Sequence, residues 1–265
     1  MAKIIKKGYQ LEEKYYAIKQ KQADKRAKNI RILGIFAFVF IMIYFIIVKV
    51  SVVADIFLIN FIPLTVCIGV VLLIVALVCF SDNISSCVNT DILVSGISGE
   101  RIATQVLSML PDDYTVFQNV IVSYGNKKSE IDNIVVGKSG VFIIEVKNHN
   151  GHIVGNLGDI CWTQHKVGCG GMPYTNEIYN PVKQVGTHIY RLSNYLRHEG
   201  VNTYIQGMVY FVNKNCQLSL TGNSDIFVYS SYDCKEDEIC DQILLGNSNL
   251  DFRSIDCICK LIDQL

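Results

Sequence analysis

Two carboxylates and an amine stand within one predicted hairpin. Its first strand reads Ser129-Glu130-Ile131-Asp132-Asn133-Ile134-Val135-Val136, and its second Val141-Phe142-Ile143-Ile144-Glu145-Val146-Lys147-Asn148. Gly137-Lys138-Ser139-Gly140 joins them. With Lys138 and Ser139 as a two-residue turn, Asp132 falls opposite Glu145, and Lys147 shares their face. A turn shifted by one residue on both sides pairs Asp132 with Lys147 instead and keeps the three together. Only an odd-length loop splits them. Like charges opposite one another destabilise a sheet, and half-buried charges need partners. A divalent cation answers both needs. Mg²⁺, with Mn²⁺ as a substitute, takes a few carboxylate oxygens and completes its shell with water. It would activate a bound water and stabilise a phosphoryl transition state. Lys147 would then position or deprotonate that water, or stabilise charge on the phosphate. The same residues also suit a plain Asp132–Lys147 ion pair on a solvated sheet face, where such pairs contribute little. The hairpin alone leaves both readings open.

The elements around the hairpin read as α/β. Ser98 can cap a helix that runs through Leu110 and stops at Pro111. Strands are expected at Tyr114–Val122, Glu130–Val136 and Val141–Lys147, with a short pair around His152–Val154 and Ile160–Thr163. Gly168 to Pro173 reads as a loop. Pro181 starts a helix that reaches about His198 and ends at Gly200. Tyr204–Val212 and Ile226–Tyr229 read as further strands, and Lys235–Leu265 as a helical tail. The expected fold is a mixed sheet flanked by helices.

Upstream the composition changes. Ile32 to Val48 is an unbroken apolar run, and Ile56 to Phe80 a longer one interrupted by Asn60, Pro63 and Thr65. A bilayer core needs roughly 20 apolar residues in helical form. The second run clears that length. The first is short, but Arg31 and Lys49 can snorkel at its ends. Two transmembrane helices are therefore expected within 32–80, with one span plus an interfacial segment as the rival. Residues 1–31 carry ten Lys and Arg against three acids. That imbalance keeps the head cytoplasmic, and a second crossing returns the chain to the same side. The basic head is expected as a helix along anionic headgroups or as a solvated tail. The runs contain no charge to mark a transport pathway, so they read as a tether in the cell membrane. Residues 81–91 read as a linker.

Charge speaks against a strong nucleic-acid footprint. Residues 81–265 hold 13 Lys and Arg against 20 Asp and Glu, with eight of the acids between Asp233 and Asp263. Phosphate binding normally leaves a basic surface. Lys127, Lys128, Lys183, Arg191 and Arg197 could still gather into a local patch. The ten cysteines form no CxxC and no zinc spacing, so free thiols in a reducing compartment are expected. His149, His152, His165, His188 and His198 have no ligand spacing and read as surface or structural. Trp162 reads as packing rather than a stacking platform.

Five blocks in order resemble the NERD, or nuclease-related, domain of the PD-(D/E)xK nuclease-like superfamily. They are Gly96-Ile97-Ser98-Gly99-Glu100, Ile131 to Val136, Gly140 to Asn148 with Gly151, Trp162, and Asn180-Pro181-Val182-Lys183-Gln184. Asn133 stands where the family often has His. The resemblance implies a restriction-endonuclease-like αβββαβ core over roughly 92–215, followed by a strand and acidic helical tail over 216–265. It implies that Asp132 and Glu145 bind Mg²⁺ with the Val146 carbonyl, that Lys147 is the catalytic amine, and that Glu100 and Gln184 assist. The expected function is a membrane-anchored, Mg²⁺-dependent nuclease acting on DNA, with RNA left open as a substrate. The alternative is an inactive nuclease-like scaffold or sensor at the membrane.

Overall fold

The structure is a computed structural model that describes residues 1–53, 68–69, 90–168, 170–235, 238–246 and 248–265. The chain divides into two compact units, Met1–Gln10 with Ser95–Leu265, and Leu11–Val94.

The first unit holds a six-stranded mixed sheet. Its strands are β1 (Lys3–Lys6), β2 (Thr115–Tyr124), β3 (Lys127–Gly137), β4 (Gly140–Lys147), β8 (Ile205–Phe211) and β10 (Phe227–Ser230), side by side in that order. The β2–β3–β4 meander is antiparallel, whereas β1, β8 and β10 join in parallel. A second sheet is built from β5 (Gly151–Asn156), β6 (Cys161–Val167), β7 (Pro173–Tyr179) and β9 (Cys216–Thr221), in the order β7-β6-β5-β9. Helix α2 covers 90–107 in the described residues. It is followed by α3 (Pro181–His198), α4 (Glu238–Leu244) and α5 (Phe252–Asp263). The order α2, three strands, α3, β8 is the expected core, with β5 to β7 inserted before α3.

Two apolar clusters lie on the sheet. One joins Ala103, Val106 and Leu107 of α2 and Ile239 and Ile243 of α4 to Val135, Phe142 and Ile144. The other joins Val185, Leu192 and Leu196 of α3 and Ile258 and Ile262 of α5 to Ile134, Val136 and Ile143. Asn180 caps α3, its side chain accepting from the Val182 N–H at 2.9 Å, and Pro181 takes the first helical position. Gly207 lets α3 lie close on β8, since a Cβ there would meet Val185 at 2.5 Å. Trp162 is buried and packs as expected, its indole N–H donating to the Asn156 carbonyl at 2.8 Å.

Several expectations are corrected. Ser98 does not start α2; it lies exposed inside a helix already formed at 90, and the helix ends at 107 rather than Leu110. Residues 90–91, expected in the linker, are helical. Residues 3–6, expected in a lipid-bound helix or a frayed tail, are an edge strand in parallel register with Thr115–Gln118. β7 and β9 were not expected as strands. The tail is two helices rather than one, each with its own start.

The second unit contains most of α1 (Gln10–Val53), one helix that carries the first apolar run. Among the described residues no helix is long and apolar enough to cross a membrane. The second run, Ile56 to Phe80, lies outside the described residues apart from Ile68 and Gly69, and residues 81–89 of the expected linker lie outside them too. The six described cysteines outside that run are free thiols.

Candidate active site

The β3–β4 turn is the two-residue turn expected, with Gly137 paired to Gly140 and Asn133 to Ile144. The ladder stops there, one pair short of Asp132 and Glu145. The reason is a paired break in β2 and β3. Phe117 and Val120 fall in the same apolar cluster although three residues apart, and so do Ile131 and Ile134. A regular strand would send each pair to opposite faces. The phase changes at Asn119, which sits at φ +55°, a conformation uncommon for a side-chain-bearing residue. Asn119 lies across from Asp132, between the Gln118–Asn133 and Val120–Ile131 pairs. Asp132 is thereby released from the ladder. Its Oδ2 accepts from the Val146 N–H at 2.8 Å, taking a place a carbonyl would otherwise fill.

Around this break five expected residues converge. Lys147 Nζ donates to Glu145 Oε1 at 2.7 Å and to Gln184 Oε1 at 3.0 Å. The Glu145 side chain is only 3% exposed. Gln184 is delivered by the first turn of α3. Glu100 comes from α2, where its Oε2 accepts from Asn119 Nδ2 at 3.3 Å. Gly99 makes that approach possible, because a Cβ there would meet the Asn148 side chain at 2.8 Å. Asn148 itself anchors the segment after β4, donating to the Ser95 carbonyl at 2.7 Å.

Two further residues belong to the cluster. Asn119 holds Glu100. His188, read as structural from the sequence, is buried with its Nε2 3.3 Å from Glu145 Oε2. The two attract at that separation, but the geometry falls short of a hydrogen bond. Glu145 Oε2 and both His188 ring nitrogens therefore have no hydrogen-bond partner among the described residues. The legible signal was spacing: His188 is four residues after Gln184, on the same side of a helix.

The carboxylates are electrically unequal. Burial, then the charge of Glu145, pushes Asp132 well above the usual carboxylate range, against the Val146 N–H and Lys147, and Glu100 adds to the rise. Burial would raise Glu145 too, but the contacts of His188 and Lys147 outweigh it and hold Glu145 below its ordinary value. The pair thus combines one carboxylate held ionised with one that resists ionisation, a pattern common at functional sites. His149, two residues beyond Lys147, is pulled down to about 4 by burial and by Lys147 and Lys166, which keeps it neutral near pH 7. Among the described residues no group of three or more His, Cys, Asp or Glu is arranged to hold a metal ion.

Residues 95–212 match the family model of the nuclease-related domain. An uncharacterized protein of Bacillus anthracis is 37% identical over 97 residues, covering 36% of this chain and 43% of that protein. The chain thus spans less than half of the relative's length. No solved structure matches the chain. From Ser95, where α2 first meets Asn148, to the end of β8, the stretch that holds every residue of this cluster is a nuclease-related domain.

Proposed function

We propose that the chain is a membrane-tethered, Mg²⁺-dependent nuclease that hydrolyses phosphodiester bonds of nucleic acid, with DNA as the leading substrate. The observation that carries the reading is the convergence of Asp132, Glu145 and Lys147, with Gln184 and Glu100, where the β3–β4 ladder ends. Asp132 and Glu145 are the residues that would hold Mg²⁺. Glu145 Oε2 is a buried carboxylate oxygen without a hydrogen-bond donor among the described residues, and Asp132 is crowded by two other carboxylates. Both conditions suit a cation. A set of two carboxylates is enough, because Mg²⁺ keeps several waters and needs only one or two protein carboxylates. When bound, the ion lowers the pKa of water and neutralises charge on the phosphate.

The protein's own groups do the rest. Gln184 and Glu145 fix the Lys147 ammonium from two sides, so its charge is aimed before substrate arrives. Lys147 then orients the attacking water or meets a phosphate oxygen. Glu100, steadied by Asn119, adds a further acid on the α2 side. Full-length chain should cut DNA only with Mg²⁺ or Mn²⁺, and Lys147→Ala or Asp132→Ala should abolish cutting. Metal-dependent cutting that survives both changes overturns the assignment. The negative balance of residues 81–265 favours the second reading, a non-catalytic scaffold. Absence of Mg²⁺ or Mn²⁺ binding by calorimetry at millimolar concentration would select it.

The tether rests on sequence, and one feature of topology constrains only how many times the chain crosses. The run Ile32–Val48 continues as a single helix within α1, and Ile56–Phe80 is long enough to span. β1 lies in the same sheet as β2, so the N-terminus and the nuclease-related domain share a compartment. The two runs between them must therefore both cross or neither cross. With ten cations in residues 1–31, the positive-inside rule puts both ends and the site in the cytoplasm.

A further inference from the structure

Charge on this domain is unevenly spread. Residues 81–265 carry more acids than bases, yet α3 holds Lys183, Arg191 and Arg197 and no acid at all. That helix also bears Gln184, which bonds the Lys147 amine. One residue from Gln184, Lys183 lines an open cleft of about 510 Å³ together with Thr187, Tyr190, Asn223 and Ser224. Tyr190 is 61% exposed and meets Tyr124, 41% exposed, edge to face with ring centroids 6.0 Å apart. Tyr124 opens the β2–β3 tip, where Lys127 and Lys128 are exposed. Arg191 Nη1 donates to the Lys128 carbonyl at 3.3 Å and ties that tip to the helix. Arg191 is seven residues beyond Gln184, about 10 Å along the helix axis.

An aromatic face bracketed by cations is the arrangement that binds single-stranded nucleic acid: bases stack on the ring while phosphates meet the charges. A duplex hides its base faces and has no use for the ring. We propose that the outer face of α3 and the β2–β3 tip form the track along which an unpaired nucleic-acid strand reaches the site. Tyr190 stacks a base over the cleft, Lys127 and Lys128 hold the phosphates at the far end, and Lys183 holds them beside Gln184. The role of the track in delivering substrate rests on the nuclease reading; the binding itself does not.

The test measures binding with cleavage blocked. Full-length chain in detergent with EDTA is titrated against a fluorescent oligo-dT strand and a blunt duplex. The strand should bind more tightly than the duplex. Tyr190→Ala should weaken strand binding roughly 5- to 100-fold, the range of one base–aromatic stack, and Tyr190→Phe should restore it. Lys127→Ala with Lys128→Ala leaves the core untouched. The double change should weaken binding and flatten the salt dependence by about 0.7 for each phosphate no longer neutralised. Preference for the duplex, or binding unchanged in both the tyrosine and lysine variants, overturns the proposal. Strand binding that depends on these residues in a chain that never cuts leaves the track standing and removes the nuclease. Cutting that ignores these residues does the reverse.

Discussion

Asp132→Asn should stabilise the metal-free protein while destroying its activity. The variant keeps an oxygen that can accept from the Val146 N–H and removes one charge from a buried acidic pair. Burial comes first and the charge of Glu145 second in penalising an ionised Asp132 there; at an effective dielectric near 20, two like charges in contact repel by roughly a few kcal/mol. The attraction between Asp132 and Lys147 cancels part of this, which leaves a gain of roughly 1–2 kcal/mol. In a domain of about 170 residues each kcal/mol moves Tm by about 2–4 °C, so the rise should be roughly 2–8 °C. The pH dependence follows from direction alone. The folded state raises the Asp132 pKa, so it holds that proton more tightly than the unfolded chain does. Wild-type stability therefore falls as pH rises through the folded value, and the variant escapes that loss. Glu145 behaves oppositely: its lowered pKa contributes stability above about 4.5 that is lost as pH falls. The gap between variant and wild type should thus widen from pH 4.5 to pH 8. Mg²⁺ should narrow it by stabilising the wild type alone, since a ligand that binds only the folded state raises its stability. The assay is thermal unfolding of the full chain in detergent, with EDTA or with Mg²⁺ in excess. A variant that melts below wild type at pH 8 in EDTA, or a gap that does not change with pH, refutes the argument.

His188→Phe fills the same space without a polar atom beside Glu145 Oε2. It should leave the fold intact by circular dichroism yet lower kcat roughly 10- to 100-fold, the cost typical of removing a group that orients a metal-binding carboxylate. Unchanged kcat would make His188 packing only. If both apolar runs cross the membrane, tags at Met1 and Leu265 should be digested or protected together in inverted vesicles, because β1 and β2 share a sheet. Tags protected on opposite faces would exclude that topology.

Much of the core was legible because its signals are local. The apolar runs Ile134 to Val136 and Val141 to Ile144, with Gly137 and Gly140 around the turn, set the hairpin register. Asn180-Pro181 marks the α3 start, and Gly200, at φ +82°, follows its end. Two of the missed strands, β7 and β1, carry weak patterns or none. β7 is an exposed edge strand, Pro-Tyr-Thr-Asn-Glu-Ile-Tyr, without an apolar face to read. β1 has four residues and takes its stability from pairing with Thr115–Gln118, a partner more than a hundred residues away. β9 was readable, since Cys216, Leu218 and Leu220 alternate toward the core.

The site was legible in membership but not in form. Register arithmetic put Asp132 across from Glu145 on one flat face, where repulsion between them would have been a simple cost. The fold does something different at Asn119. A left-handed residue in β2, matched by a phase change in β3, opens the ladder at the one pair that carries both acids. Asp132 then turns into the gap and takes the Val146 N–H, while Glu145 stays with Lys147 and His188. That conformation, at a cost of about 1–3 kcal/mol for a residue of this kind, leaves Asp132 held by a backbone N–H rather than by the ladder, with Glu145 still near enough to raise its pKa. The break, rather than any single side chain, distinguishes this hairpin from an ordinary strand pair bearing an ion pair, and residue types alone could not have shown it.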